Sequence, residues 1–269
     1  STPAAMQDVD LLAGMSLAIP AQGSSIDLGE YDGHYTPGHA NILLHGLTGI
    51  RDRATSKLTT ETDLEKRDFL EAAAIAYEAA RRFVAKHANH LELLTATESH
   101  STRKQELAKA AAACRELSVG PATSFQGGLQ MLWFTFLFGA RGSIGRFDQW
   151  MYPLYRTDLD TGRLTKTEAQ ELLENYFVKL NYFAGNNDSL RNIALAGQTP
   201  QGKDACNELS YMCLIAGGRL MLPEPKLNVR FHTGSPSDLL ELSCRLTCKG
   251  LSNPAYFNDD VAIPGLLEL

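Results

Sequence analysis

Gly145-Arg-Phe-Asp-Gln-Trp-Met-Tyr-Pro-Leu-Tyr155 is followed by Thr161-Gly-Arg-Leu-Thr-Lys-Thr-Glu168 and then by an apolar-periodic run ending at Tyr182. The first piece sets two opposite charges, Arg146 and Asp148, among Phe147, Trp150 and Tyr152. Paired charges persist in such surroundings only when satisfied, so the two are assigned a structural role. The second piece has a start signal. Thr165 stands three residues before Glu168, the spacing of a capping box, and Leu172, Leu173, Tyr176, Phe177 and Leu180 follow at helical intervals. The stretch reads as one rigid unit, a charge pair in aromatics leading into a capped amphipathic helix.

Toward the C-terminus, Leu190–Ala196 alternates enough for a strand, Gln198–Gly202 is a polar loop, and Asp204–Arg219 is a helix with Leu209, Met212, Cys213 and Ala216 inward. Leu227–His232 alternates strictly: Leu, Val and Phe face one way, and Asn228, Arg230 and His232 the other. Ser235-Pro236 opens a helix that ends at Gly250. An extended piece, Asn253–Asn258, then precedes a last helix from about Asp259. Strands separated by crossover helices predict a parallel sheet.

The N-terminal side is helical. Leu11–Ile19 is a short helix or buried strand, and residues 21–39 form a glycine-bracketed loop carrying Glu30, Asp32, His34 and His39. That loop is read as solvated surface, with convergence on a ligand as the alternative. Asn41–Ile50 is a short helix. Thr60–His87 is a long one, acidic at its start, basic at its end and rich in alanine. It pairs with an antiparallel helix, Arg103–Leu117, which stops before Gly120-Pro121. Phe125–Phe138 carries Phe125, Trp133, Phe134, Phe136 and Phe138, a stripe read as core.

The 269 residues carry a net charge of -6 with no basic face, which argues against a nucleic-acid groove. The apolar run Met131–Phe138 is too short to span a bilayer, and the N-terminus lacks a signal-peptide pattern. Five cysteines, an odd number, point to free thiols in a reducing cytoplasm. Cys206 and Cys213 share a helix face, as do Cys244 and Cys248, but neither pair has zinc-knuckle spacing, so no metal site is assigned and buried thiols are expected. Phosphate-loop and nucleophile-elbow patterns are absent. What remains is a polar set at expected strand ends: Asn192, Asn228, Arg230, His232, Asn258 and Asp259. Such a set suits a small polar substrate, and equally suits ties between backbone groups.

The segment from Gly145 to Tyr155 resembles the signature of the glycyl radical enzymes, on the pyruvate formate-lyase-like branch with glycerol and diol dehydratases, choline trimethylamine-lyase and aryl decarboxylases. The resemblance extends in order through Gly33–Ile50, Lys66-Arg-Asp-Phe, Ala72-Ala-Ala-Ile-Ala-Tyr-Glu-Ala, Thr123-Ser-Phe-Gln-Gly-Gly-Leu-Gln, Gly202–Tyr211, Leu227–His232 and Pro254-Ala-Tyr-Phe-Asn-Asp-Asp. It implies an α/β fold, part of a ten-stranded barrel built from parallel half-barrels and wrapped by helices. Residues 1–144 would be the mainly helical portion and 145–269 the strand–helix portion of one partial domain. It implies a homodimeric cytoplasmic lyase or dehydratase acting on a small polar substrate through a thiyl radical. That radical is raised by a glycyl radical, which a separate radical-SAM activating enzyme installs.

The resemblance also shows what this chain does not carry. The family's radical cysteine lies in a Gly-Cys-x-Glu segment shortly after the Phe-Asn-Asp piece, and neither it nor the C-terminal glycine motif occurs before Leu269. Catalytic radical residues are therefore assigned outside the chain, in a remaining C-terminal portion or a complementary subunit, and the chain alone is expected to be inactive. The alternative is a non-catalytic homologue acting as a binding or structural partner. Where dehydratase-like members carry Asn-Gly-His-Ser, this chain has Gly-Ala-Arg-Gly-Ser, placing Arg141 and Ser143 near substrate-facing positions. Arginine there favours a substrate carboxylate through bidentate pairing. His34, Arg141, Ser143 and Asn192 make up the expected substrate-binding set.

Overall fold

The computed structural model describes residues 36–138, 142–182, 191–250 and 253–268. All of them fall in one compact unit, Asp32–Leu269. The chain begins with four helices: α1 His39–Leu58, kinked at Gly46, α2 Leu64–Thr97, α3 Ser101–Leu117 and α4 Phe125–Leu137. Next come α5 Phe147–Asp160 and α6 Lys166–Tyr182. An alternating segment completes the order: β1 Asn192–Ala196, α7 Glu208–Leu220, β2 Lys226–Phe231, α8 Ser237–Thr247, β3 Ala255–Asn258 and α9 Asp259–Leu267.

The antiparallel α2–α3 layer forms as expected, but α2 runs ten residues past His87 to Thr97. Its start is fixed by Asp63, whose side chain accepts from Lys66 N. Glu78 ties it to α1, meeting Arg51 at 2.6 Å and Arg81 at 2.8 Å. Hydrogen bonds from Arg81, Arg51 and Arg82 hold the Glu78 carboxyl well below its ordinary value. The α4 stripe is core: Phe125, Met131, Leu132 and Phe134 are all at most 1 % exposed. Phe125 meets Tyr155 of α5 edge-on at 5.7 Å, and Phe147 stacks on Tyr176 of α6 at 6.1 Å. Each such ring contributes about 1.5–3 kcal/mol on burial.

Residues 147–160, left unassigned by sequence periodicity, form a helix despite Pro153. Helix α6 begins as its capping box predicts: Thr165 N donates to Glu168 Oε2 at 2.8 Å, and Glu168 N donates back to Thr165 Oγ1 at 3.2 Å. Helix α7 starts four residues later than expected because Asn207 and Ser210 build a capping box there. Cys206 consequently lies ahead of the helix rather than on it.

The three strands are parallel in the order β1-β2-β3, with Ala194 opposite Asn228 and Arg230 opposite Phe257. Ile193, Leu195, Leu227 and Val229 pack against helices at 0–1 % exposure. On the opposite face Asn192, Ala194 and Asn228 are half-buried and Ala255 and Phe257 are exposed. Gly145 pairs with Ile193 as a single parallel bridge beside β1. Among the described residues no helix is long and apolar enough to cross a membrane.

His39, at the start of α1, ties the helical layer to this bridge. Its buried ring donates from Nδ1 to Ile144 O at 3.2 Å and lies 5.7 Å from the Trp150 ring. Burial lowers its pKa below the ordinary value near 6.5. The unfolded chain therefore takes up a proton that the folded chain resists, so the contribution is complete above pH 6.5 and declines as pH falls through it. Thermal melts of wild type and His39→Asn across this range test the sign. Wild-type Tm is expected to drop more steeply below about pH 6.5 than that of the variant.

Candidate functional site

Two places concentrate polar side chains, and the structure gives them different work. At the C-terminal rim of the sheet, Arg146 N-caps α5 by position and Asp148 lies in its first turn. They do not pair with each other. Asp148 Oδ2 accepts from Ala196 N at 2.7 Å and from Ser210 Oγ at 2.6 Å. Arg146 donates to Ala196 O at 2.7 Å and to Gln198 O at 3.0 Å. The expected charge pair is thus a two-handed grip on the last residue of β1, satisfying both backbone groups of Ala196. The correction has a simple cause: residues two apart at a helix start point in different directions. Burial raises the Asp148 pKa, while burial and the like charge of Arg230 lower that of Arg146.

The same rim is stitched from the other side by α9. Asp259, 2 % exposed, binds Arg230 through two hydrogen bonds of 2.9 Å and accepts from Gln198 N at 2.7 Å. Asp260 accepts from Thr233 N at 2.7 Å and from Gln198 Nε2 at 3.0 Å. The Thr233 hydroxyl, then its backbone N–H, hold the Asp260 carboxyl below its ordinary value. His232 uses both ring nitrogens, one facing Asp204 Oδ1 at 3.2 Å and the other accepting from Gly234 N at 3.1 Å. Asn258 accepts from Asp260 N and caps α9. Arg230, His232, Asn258 and Asp259, four residues of the sequence-derived polar set, are therefore engaged in holding strand ends and loops.

Asn192 and Asn228 lie elsewhere. Asn192 is the first residue of β1, not the last, and Asn228 is in the middle of β2. Asn228 Nδ2 donates to Asn192 Oδ1 at 3.3 Å on the half-buried face. Asn192 O accepts from Ile144 N at 2.9 Å and from Gly145 N at 3.1 Å, and Ser143 is the residue before Ile144. No hydrogen bond between Ser143 and Asn192 is seen among the described residues, and His34 and Arg141 lie outside them. Asn192, Ala194 and Asn228 make a small patch whose two side-chain amides have donors and acceptors suited to hydroxyl or carbonyl groups.

The cysteines also differ from expectation. Cys114 and Cys213 are buried and Cys206 is half-buried, but Cys244 and Cys248 are exposed. Burial pushes the Cys114 and Cys206 thiols up to about 11. Among the described residues no group of three or more His, Cys, Asp and Glu gathers as metal ligands. Asp158 escaped sequence reading altogether. It is 3 % exposed, accepts from Phe125 N at 2.8 Å and pairs with Arg163 at 2.7 Å, linking α5 to the start of α4. The only sequence signal was an acid in an otherwise apolar-faced helix.

A short parallel sheet, packed by helices on one face and amide-lined on the other, defines an α/β protein of the helix-wrapped class. The chain belongs to the pyruvate formate-lyase-like family of glycyl radical enzymes, whose model, described as "Pyruvate formate lyase-like", matches residues 27–269. Isethionate sulfite-lyase of Oleidesulfovibrio alaskensis is 32% identical over 251 residues, covering 84% of this chain and 30% of that protein. (2S)-3-Sulfopropanediol dehydratase of Klebsiella oxytoca is 30% identical, covering 88% and 31%. The B12-independent glycerol dehydratase of Clostridium butyricum, solved with glycerol bound, superposes with a TM-score of 0.82 at 33% identity, covering 88% of this chain and 33% of that one. The protein studied for 1,2-propanediol dehydration in Roseburia inulinivorans superposes with a TM-score of 0.82 at 36% identity, covering 88% and 32%. This chain spans about a third of the length of the relatives it matches.

The rim makes two stability predictions. Asp148→Ala leaves Ala196 N–H and the Ser210 hydroxyl buried without an acceptor, and is expected to cost about 2–4 kcal/mol in denaturant unfolding. Asp148→Asn keeps one acceptor and is expected to cost less. Gly197 has φ +80°, and a Cβ there would lie 2.6 Å from Asp259 Oδ2 and 2.8 Å from Arg230 Cβ. Gly197→Ala is therefore expected to lower Tm by several degrees, on the order of 2 kcal/mol, by forcing the Arg230–Asp259 pair apart.

Proposed function

We propose that this chain is the front part of a glycyl radical lyase or dehydratase that cleaves a C–C, C–O or C–N bond of a small polar substrate. The observation that carries the reading is the sheet. Ile193, Leu195, Leu227 and Val229 of one face are buried under helices, the other face presents Asn192, Ala194 and Asn228, and β3 carries no further partner strand among the described residues. Tyr256 and Phe257 on that edge strand are 39% and 50% exposed. An open edge and an uncovered polar face fit a half-barrel that the remaining two thirds of the protein complete into a ten-stranded barrel. Under this reading the radical cysteine and glycine lie outside the chain, a radical-SAM enzyme activates the cytoplasmic homodimer, and the barrel interior shields the chemistry from water.

The residues here would hold substrate. Asn192 and Ser143 would bind a hydroxyl, and the hydrogen bond from Asn228 Nδ2 to Asn192 Oδ1 supports an oriented Asn192 amide. His34 and Arg141 complete the proposed set. An arginine at 141 suits an anionic group, either a carboxylate or the sulfonate that isethionate and 3-sulfopropanediol carry in the relatives named for them.

Anaerobic activation followed by electron paramagnetic resonance tests the assignment. The full-length polypeptide treated with its activating enzyme is expected to show a glycyl radical, and residues 1–269 alone to show none. A signal from residues 1–269 would overturn the placement of the radical residues, and silence from the full-length protein would overturn the enzyme reading. In activated full-length enzyme, Arg141→Lys is expected to raise KM for an anionic substrate at least about tenfold, a loss of about 1.4 kcal/mol, and to leave KM for a neutral diol nearly unchanged.

A further inference from the structure

The last turn of α8 carries two exposed thiols, Cys244 and Cys248. Cys248 is the C-cap, and its N–H donates to Cys244 O at 3.0 Å, so the two residues sit one hydrogen-bonded turn apart on the same face. The neighbouring polar groups are otherwise occupied. Lys249 Nζ donates to Gly218 O at 2.8 Å, and Arg245 pairs with Glu241 at 2.7 Å. The Tyr256 hydroxyl lies 2.8 Å from Thr247 Oγ1 and 4.0 Å from Cys244 Sγ, capping one side of the thiol pair.

Spacing decides what this pair can do. Side chains one helical turn apart have Cβ atoms about 5–6 Å apart. A disulfide needs them at about 3.5–4.5 Å, so an intact turn disfavours an internal S–S bond. A cation with two bonds of about 2.3 Å to thiolates spans a sulfur–sulfur distance of about 4.6 Å when linear, which rotation about the two Cα–Cβ bonds supplies. Zinc requires four ligands, and among the described residues no third His, Cys, Asp or Glu joins the pair. Ions content with two soft ligands do not need one.

We propose that Cys244 and Cys248 form a two-thiolate site for a soft, two-coordinate d10 cation such as Cu(I). Binding replaces two S–H bonds with two Cu–S bonds and releases two protons, with no change of oxidation state. The site lies on an outer helix, apart from the amide-lined sheet face, and is independent of the radical chemistry proposed above.

The test is an anaerobic titration of the purified, reduced protein with Cu(I) buffered by a chromophoric chelator. Wild type is expected to withdraw one Cu(I) per chain. Cys244→Ser and Cys248→Ser, both at exposed positions, are each expected to bind at least about a hundredfold more weakly, because the chelate becomes a single contact. Cys206→Ser, at a half-buried thiol outside the pair, is expected to match wild type. No uptake by wild type, or wild-type affinity in Cys248→Ser, would overturn the proposal.

Discussion

The grip of Arg146 and Asp148 on Ala196 is the contact on which the rest of the arrangement depends. A strand end must satisfy its final N–H and C=O once the sheet stops, and a buried one has no water to help. Here both are met by the start of α5, the N–H at 2.7 Å by a carboxylate and the C=O at 2.7 Å by a guanidinium. Asp148 also takes the Ser210 hydroxyl, which fixes α7 in the same hand. One helix start therefore sets the position of a strand, the helix after it and the loop between them. Desolvation works against each charge, raising the Asp148 pKa and lowering that of Arg146, and the hydrogen bonds from Ala196 N and Ser210 Oγ offset part of it at Asp148.

That arrangement separates holding from binding. The rim where the strands end is filled by Asp259, Asp260, Arg230 and His232, each occupied with another protein group. The other face of the sheet is where, under the proposed function, substrate would be met; there Asn228 donates to Asn192 Oδ1 and to Ile193 O. Under the proposed function, a rim tied off by its own hydrogen bonds would keep a substrate in place while a reactive intermediate forms.

Much of this was legible in the sequence where local signals are strong. The Thr165–Glu168 box, the aromatic stripe of α4 and the alternation in β2 each fix an element within a residue or two. Helix α5 was not legible, because Pro153 interrupts the pattern. The end of α2 was missed because its basic residues near Lys86 mimic a helix terminus ten residues early. The site was harder still. Arg146 and Asp148 look like partners because they are only two residues apart, yet their partners lie 48 to 62 residues away. Asn192 was grouped with residues at strand ends, and it lies at the start of β1 rather than at the C-terminal end where a parallel sheet carries its site. Long-range hydrogen bonds leave no periodicity to read, whereas the ordered resemblance along the chain identified the family without them.

Hydrogen exchange at β1 tests the central claim most directly. If the grip on Ala196 holds the sheet to the helical layer, Asp148→Ala will strip protection from amides 193–197 while those of α4 remain as slow as in wild type. Unchanged protection across β1 in that variant would contradict the account, and would mean that the strand is held by its packed face alone.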